Sequence, residues 1–166
     1  MARGVAVELG LRGSTRADRR PEPQARGTGK SLMDPQRQQT LWAIALENYQ
    51  AAVLTAQHSW HNVSVTRSYY AVFMAMWVAL DDPPKGRWGH GGIVEQFVHG
   101  QWCTPPMPLA RELTRAIRRL YADRVDADYG IVRLTPLEST ASLTSARQVV
   151  RFVADALHFS LGGIPL

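Results

Sequence analysis

Chemistry in this chain would have to come from a few charged and aromatic groups at helical spacing. Arg124 is followed at i, i+4 by Asp128, and then by Tyr129. Arg124 and Asp128 continue an apolar stripe formed by Leu109, Leu113, Ala116, Ile117 and Leu120. A charged pair therefore lies where a core residue belongs. Two readings follow. The pair can be part of a buried ionic network tying two helices together, because a buried charge must be paired. It can instead line an electropositive pocket for phosphate. Arg67, on the face of Tyr70, Ala71 and Met74, is the partner both readings would recruit. Asp128 itself is a poor general acid, since an ionised carboxylate only accepts hydrogen bonds.

Other polar groups are weaker signals. His90 sits among three glycines, Gly89, Gly91 and Gly92. It reads either as a loop histidine capping a helix end or as a binding residue. His58 and His61 are three apart with no carboxylate or thiolate beside them, which is not a metal-site pattern. No metal and no cofactor is expected. Arg111, Arg115, Arg118 and Arg119 form a basic strip that is either a solvated face or an RNA-contacting one. Arg119 and Asp123 offset each other locally at i, i+4. Gly29-Lys30-Ser31 resembles the end of a phosphate-binding loop. The glycine needed five residues earlier is Gln24, and no strand precedes it.

These groups must be positioned by a single domain of 166 residues, with 45% apolar and 20% charged residues. One cysteine, Cys103, excludes a disulfide framework and a thiolate-built zinc site. That composition fits a cytoplasmic protein. The net charge of +5 is uneven. Residues 1–33 hold seven Lys or Arg against three Asp or Glu, and the remainder holds 12 against 11. The basic excess belongs to an Arg-, Gly- and Pro-rich tail without periodicity, read here as disordered. An alternative takes Met33 as the true start.

Five helices are expected after the tail. Asp34-Pro35 opens the first, with Trp42, Leu46, Tyr49, Val53 and Ala56 on one stripe. Asn62 caps the second. It carries 12 consecutive apolar residues from Tyr69 to Leu80, too few to span a bilayer, and should be the buried central helix. No membrane association is expected. Its rings, Tyr69, Tyr70, Phe73 and Trp77, read as core rather than as a base-stacking platform. A glycine-rich loop over 85–92 leads to a short third helix, and a proline-broken stretch leads to the fourth. Thr135-Pro136-Leu137-Glu138 is a capping box opening the fifth, which Gly162-Gly163 should close. The fold class is all-α: an up-and-down bundle of four to five helices over 34–160, with a short tail at 161–166.

Three blocks of this bundle resemble the HEPN superfamily. Arg67-Ser68-Tyr69-Tyr70-Ala71-Val72-Phe73 is similar to its R-x-Y-Y-A-x-F signature. Gly89-His90-Gly91-Gly92-Ile93 with Phe97 resembles its histidine loop and short helix. Arg124-Val125-Asp126-Ala127-Asp128-Tyr129 resembles its R-x-x-A-D-Y ending of the fourth helix. The resemblance implies a helical bundle, often dimeric, with a role around RNA or nucleotides in toxin–antitoxin or defence modules. It also implies a minimal nucleotidyltransferase as a partner. Nuclease members of the group carry an arginine followed, after four to six residues, by a histidine. The arginine would stabilise phosphorane charge, and the histidine would move protons for attack by the RNA 2′-hydroxyl. This chain departs from that pattern, because no histidine follows Arg124 on the fourth helix. Only Arg151 and His158 keep the spacing, and they lie on the fifth. The resemblance therefore implies a non-catalytic or degenerate member. Two alternatives stand beside it: a metal-independent endoribonuclease using Arg124 or Arg151 with His158, and a helical interaction subunit.

Overall fold

The structure, a computed structural model, describes residues 33–83, 85–102, 106–131 and 133–164. The readings made on residues 1–32, and on Cys103 and Pro105, lie outside these. Five helices follow in chain order: α1 (Pro35–Gln57), α2 (His61–Leu80), α3 (His90–Val98), α4 (Arg111–Tyr129) and α5 (Pro136–Leu157). No strand occurs among the described residues.

Local chemistry sets most of the boundaries. Asp34 accepts a hydrogen bond from the Gln36 amide at 3.3 Å, and Pro35 supplies a helical φ at the first position. The capping box at Thr135 and Glu138 is closed in both directions. Three boundaries differ from the sequence expectation. Asn62 does not cap α2, which begins at His61. Its side chain bridges two other segments, donating to the Ala127 carbonyl at 3.3 Å and accepting from the Leu134 amide at 3.0 Å. Gly91 and Gly92 belong to α3 rather than to the loop before it. The fifth helix stops before Gly162, because His158 takes the left-handed conformation (φ 57°) and donates its amide to the Ala154 carbonyl. Histidine is among the few non-glycine residues that tolerate this region.

α2 is the central helix. It packs against α1, α3, α4 and α5. Tyr69, Val72 and Met76 are fully buried on it, and Phe97, Ile117 and Val150 reach the same core from three other helices. By length and composition α2 could cross a membrane, yet two thirds of that span is buried by its neighbours. That is how the core helix of a bundle arises: every face meets another helix, so every face is apolar.

The chain reverses tightly in two places that matter for position. Gly100 has φ 69°, and a Cβ there would fall 1.8 Å from the Met107 carbonyl oxygen, so only glycine fits the return towards α4. Asp81 ends α2 with φ 74° and ψ −177°, a region almost reserved for glycine. Its buried carboxylate compensates by accepting from the Met33 amide at 2.6 Å and the Asp82 amide at 2.8 Å. Met33 is thereby fixed to the end of α2, and α1 starts in register with it.

Candidate functional site: the Arg124 cluster

The core stripe of α4 runs through Ile117 and Leu120 to Arg124, which is only 7% exposed. Its guanidinium meets α2 and its own last turn. Nε approaches Asp128 Oδ2 to 2.8 Å, with the N–H angled off the carboxylate, so the contact is an ion pair rather than a hydrogen bond. Nη2 donates to the Tyr70 hydroxyl at 3.2 Å. The rings of Tyr69, Tyr70 and Tyr129 cover the cation, with centroids 5.8, 5.7 and 5.4 Å from Cζ. Burial alone would lower the Arg124 pKa; the Tyr70 hydroxyl and the Asp128 carboxylate outweigh it and hold it above its usual value. Asp128 in turn accepts from the Thr66 hydroxyl at 2.6 Å.

His90, the first residue of α3, closes the other side of the cluster. Its Nδ1 lies 2.9 Å from the Tyr69 hydroxyl. Its ring packs against Phe73 at 5.0 Å and lies near-parallel to Tyr121 at 6.5 Å. Burial lowers the His90 pKa, the Arg124 charge lowers it further, and Asp128 opposes both more weakly. Burial also pushes the Tyr69 hydroxyl well above the ordinary phenol value. Both groups are therefore neutral at pH 7, and they share one hydrogen bond. The chain of contacts runs His90–Tyr69, then Arg124 over the Tyr69 and Tyr70 rings, then Asp128 and Thr66.

The residues singled out in the sequence do not all arrive here. Arg124, Asp128, Tyr70, His90 and Tyr129 come together. Arg67 does not: it is exposed and donates to Asn48 Oδ1 on α1 at 3.2 Å. The residue that ties α2 to Asp128 is its neighbour Thr66. One residue along a helix is a rotation of about 100°, enough to send Arg67 to α1 and Thr66 to α4. Arg151 is exposed on α5, and His158 is exposed at the cap just past its end. His158 lines a groove of about 470 Å³ with Trp42, Leu46 and Phe159, and none of the Arg124 cluster lines it. On α4, Arg118 pairs with Glu95 of α3 at 3.1 Å and Arg119 with Asp123 at 3.7 Å. Arg111 and Arg115 make no ion pair among the described residues. No group of three or more His, Cys, Asp or Glu side chains converges there either.

Thr66, Tyr69 and Tyr121 were missed as polar members of the cluster. Thr66 had a signal, since it precedes Tyr70 by four and shares its face. Tyr121 had none, as its role depends on where α3 docks.

The cluster can do two things chemically. It holds α2, α3 and α4 together around a cation that is paired with Asp128 and hydrogen-bonded to Tyr70, while its buried Nε makes no hydrogen bond. It also presents a neutral imidazole, partly exposed, beside that cation. The Asp128 carboxylate, the Tyr70 hydroxyl and three tyrosine rings surround the guanidinium.

No curated protein matched the chain. A family model described as the HEPN domain matches residues 38–156, a span that contains all five helices but for the first residues of α1 and the last of α5. With the bundle, the Arg67–Phe73 block and the Arg124–Tyr129 block in place, the chain belongs to the HEPN domain family.

Proposed function

We propose that this HEPN-domain protein is a non-catalytic or degenerate member of an RNA- or nucleotide-associated toxin–antitoxin or defence module. In this reading it acts in the cytoplasm as a homodimer, alongside a minimal nucleotidyltransferase. One observation carries the reading. Arg124 is 7% exposed and paired with the Asp128 carboxylate, and Tyr129, Gly130 and Ile131, where that spacing would set a histidine, offer no imidazole. A carboxylate ionised at neutral pH has no proton to give a leaving oxygen. A guanidinium already paired with an anion has little charge left for a phosphorane.

The test is direct. The purified full chain is incubated with single-stranded RNA in excess chelator across neutral pH. The expected result is no cleavage beyond that of an Arg124→Ala control. Cleavage that disappears in the control overturns the proposal. Co-purification of a nucleotidyltransferase from the native host tests the partner.

A second reading, a metal-independent endoribonuclease, rests on His90. This neutral imidazole stands beside Arg124 across the Tyr69 and Tyr70 rings, so histidine and arginine share one cluster without sharing a helix. Cleavage lost in His90→Ala but kept in His158→Ala supports this version over one that uses Arg151 and His158.

A further inference from the structure

We propose that the buried carboxylate of Asp81 is a binding site for a chain-terminal α-ammonium, supplied by Met33 when the chain begins at that residue. The inference is independent of the catalytic and homodimer readings above.

Asp81 is an unusual residue for its place. It ends α2 in a backbone conformation almost reserved for glycine, and it is 8% exposed. A carboxylate buried this deeply is costly without a cation. No cation pairs with it among the described residues. Arg37 of α1 pairs instead with the next residue, Asp82, at 3.1 Å, and lies over the Trp77 ring.

What the carboxylate does hold is the backbone nitrogen of Met33, 2.6 Å from Oδ1. Amide donors lie at about 2.9–3.0 Å from oxygen, and charged nitrogens approach carboxylates more closely. The Asp82 amide ends on the same Oδ1, and Oδ2 accepts no hydrogen bond among the described residues. An amide at Met33 brings one N–H and no charge. An α-ammonium at the same atom brings three N–H groups and the missing positive charge, with no movement of the chain. The site also reaches the loop that carries His90. The Trp88 indole donates to the Asp81 carbonyl at 2.8 Å, two residues before α3 begins. One charged nitrogen would thus fix the start of α1, the end of α2 and the approach to α3.

Met33 suits a first residue in other ways. Its side chain is 7% exposed and belongs to the hydrophobic core, and Asp34 directly after it caps α1. All five helices and all the buried side chains described lie at or after Met33, so a chain that begins there keeps the whole bundle. The residues before it carry most of the net charge and no helical period. Two routes supply the ammonium: translation that starts at Met33, and cleavage after Leu32. The chemistry at Asp81 is the same for both.

The experiment has two arms. The first follows thermal melting by circular dichroism at about pH 6.5, where an α-amino group is charged. It compares the full chain, the chain that begins at Met33, the N-terminally acetylated form of that chain, and Asp81→Asn in each. Asparagine keeps the shape and Oδ1 and removes only the charge. The Met33 chain should melt about 5 °C or more above its acetylated form, the effect of a hydrogen bond between charged groups. Asp81→Asn should erase that difference, and in the full chain it should lower melting by no more than about 2 °C, because no cation is lost there. A Met33 chain that does not fold, or that melts with its acetylated form, overturns the proposal. So does a difference that survives Asp81→Asn, or a full chain that loses as much from Asp81→Asn as the Met33 chain does. The second arm measures intact mass of the protein from its native host. A species that begins at Met33 is expected; masses that all include residues 1–32 overturn the proposal. Loss of that species in Met33→Leu assigns it to translation starting at Met33, and its persistence assigns it to cleavage after Leu32.

Discussion

Removing Asp128 should cost more than removing the arginine it compensates. Breaking a buried ion pair by deleting one partner costs about 3–5 kcal/mol, because the other charge is left without compensation. The Asp128 side chain is 22% exposed, so water screens part of the pair. The three tyrosine faces also remain to hold the cation. A loss just below that range is therefore expected for Asp128→Ala, about 2–3 kcal/mol. Arg124→Met should cost about 1–2 kcal/mol, from the lost Tyr70 hydrogen bond and ring contacts. It leaves Asp128 near solvent with Thr66 as donor. Asp128→Ala made on top of Arg124→Met should then cost only about 1 kcal/mol, the Thr66 hydrogen bond. The resulting coupling between the two sites is about 1–2 kcal/mol. Urea unfolding followed by far-UV circular dichroism measures all four proteins. The melting temperature of Asp128→Ala should fall by about 8 °C, at roughly 3–4 °C per kcal/mol for a domain of this size. A coupling below about 0.5 kcal/mol, or an Arg124→Met variant less stable than Asp128→Ala, would refute the buried-cation account.

Three more outcomes follow from the same contacts. His90 has a folded pKa below its unfolded value of about 6.5, so the unfolded chain takes up the proton first. Its contribution is fully present above that value and is lost as pH falls towards the folded pKa, with a slope of up to about 1.4 kcal/mol per pH unit. Stability measured between about pH 7.5 and 5 should therefore decline, and His90→Gln should flatten the decline; an unchanged slope in that variant removes His90 as its source. Asn62→Ala strands the Leu134 amide and the Ala127 carbonyl, so a loss of about 1–2 kcal/mol is expected, together with faster amide exchange at Leu134; full protection at that amide contradicts the bridge. Ser59 turns the chain between α1 and α2 at φ 60°, where a side chain is strained. Ser59→Gly should raise stability by about 0.5 kcal/mol in thermal melts, and a loss instead would place the cost in the unfolded state.

The five helices, the central position of α2 and the burial of Arg124 were legible in the residue pattern. All three depend on period and composition. A stripe at 3.6 residues names the buried face of its own helix. Arg124 is read as buried because it continues that stripe, whatever lies across from it. The caps at Asp34 and Thr135 were legible for the same reason, being made within four residues of chain. The partners were not legible. Arg67 and Thr66 are adjacent in sequence, and the side that each takes depends on the rotation of α2 between α1 and α4. His90 reaches Tyr69 only because the loop after α2 brings α3 back across it, and Asn62 leaves its capping position because the α4–α5 turn passes within reach.

The sequence by itself determined which residues form helices and which faces of them are buried, since those are local properties of a periodic chain. Only the tertiary structure decided which polar groups meet, because contacts between helices depend on docking and rotation that no single helix encodes. That decision set the Asp128 carboxylate and the rings of Tyr69, Tyr70 and Tyr129 around Arg124, and it placed a neutral histidine from another helix beside the cluster.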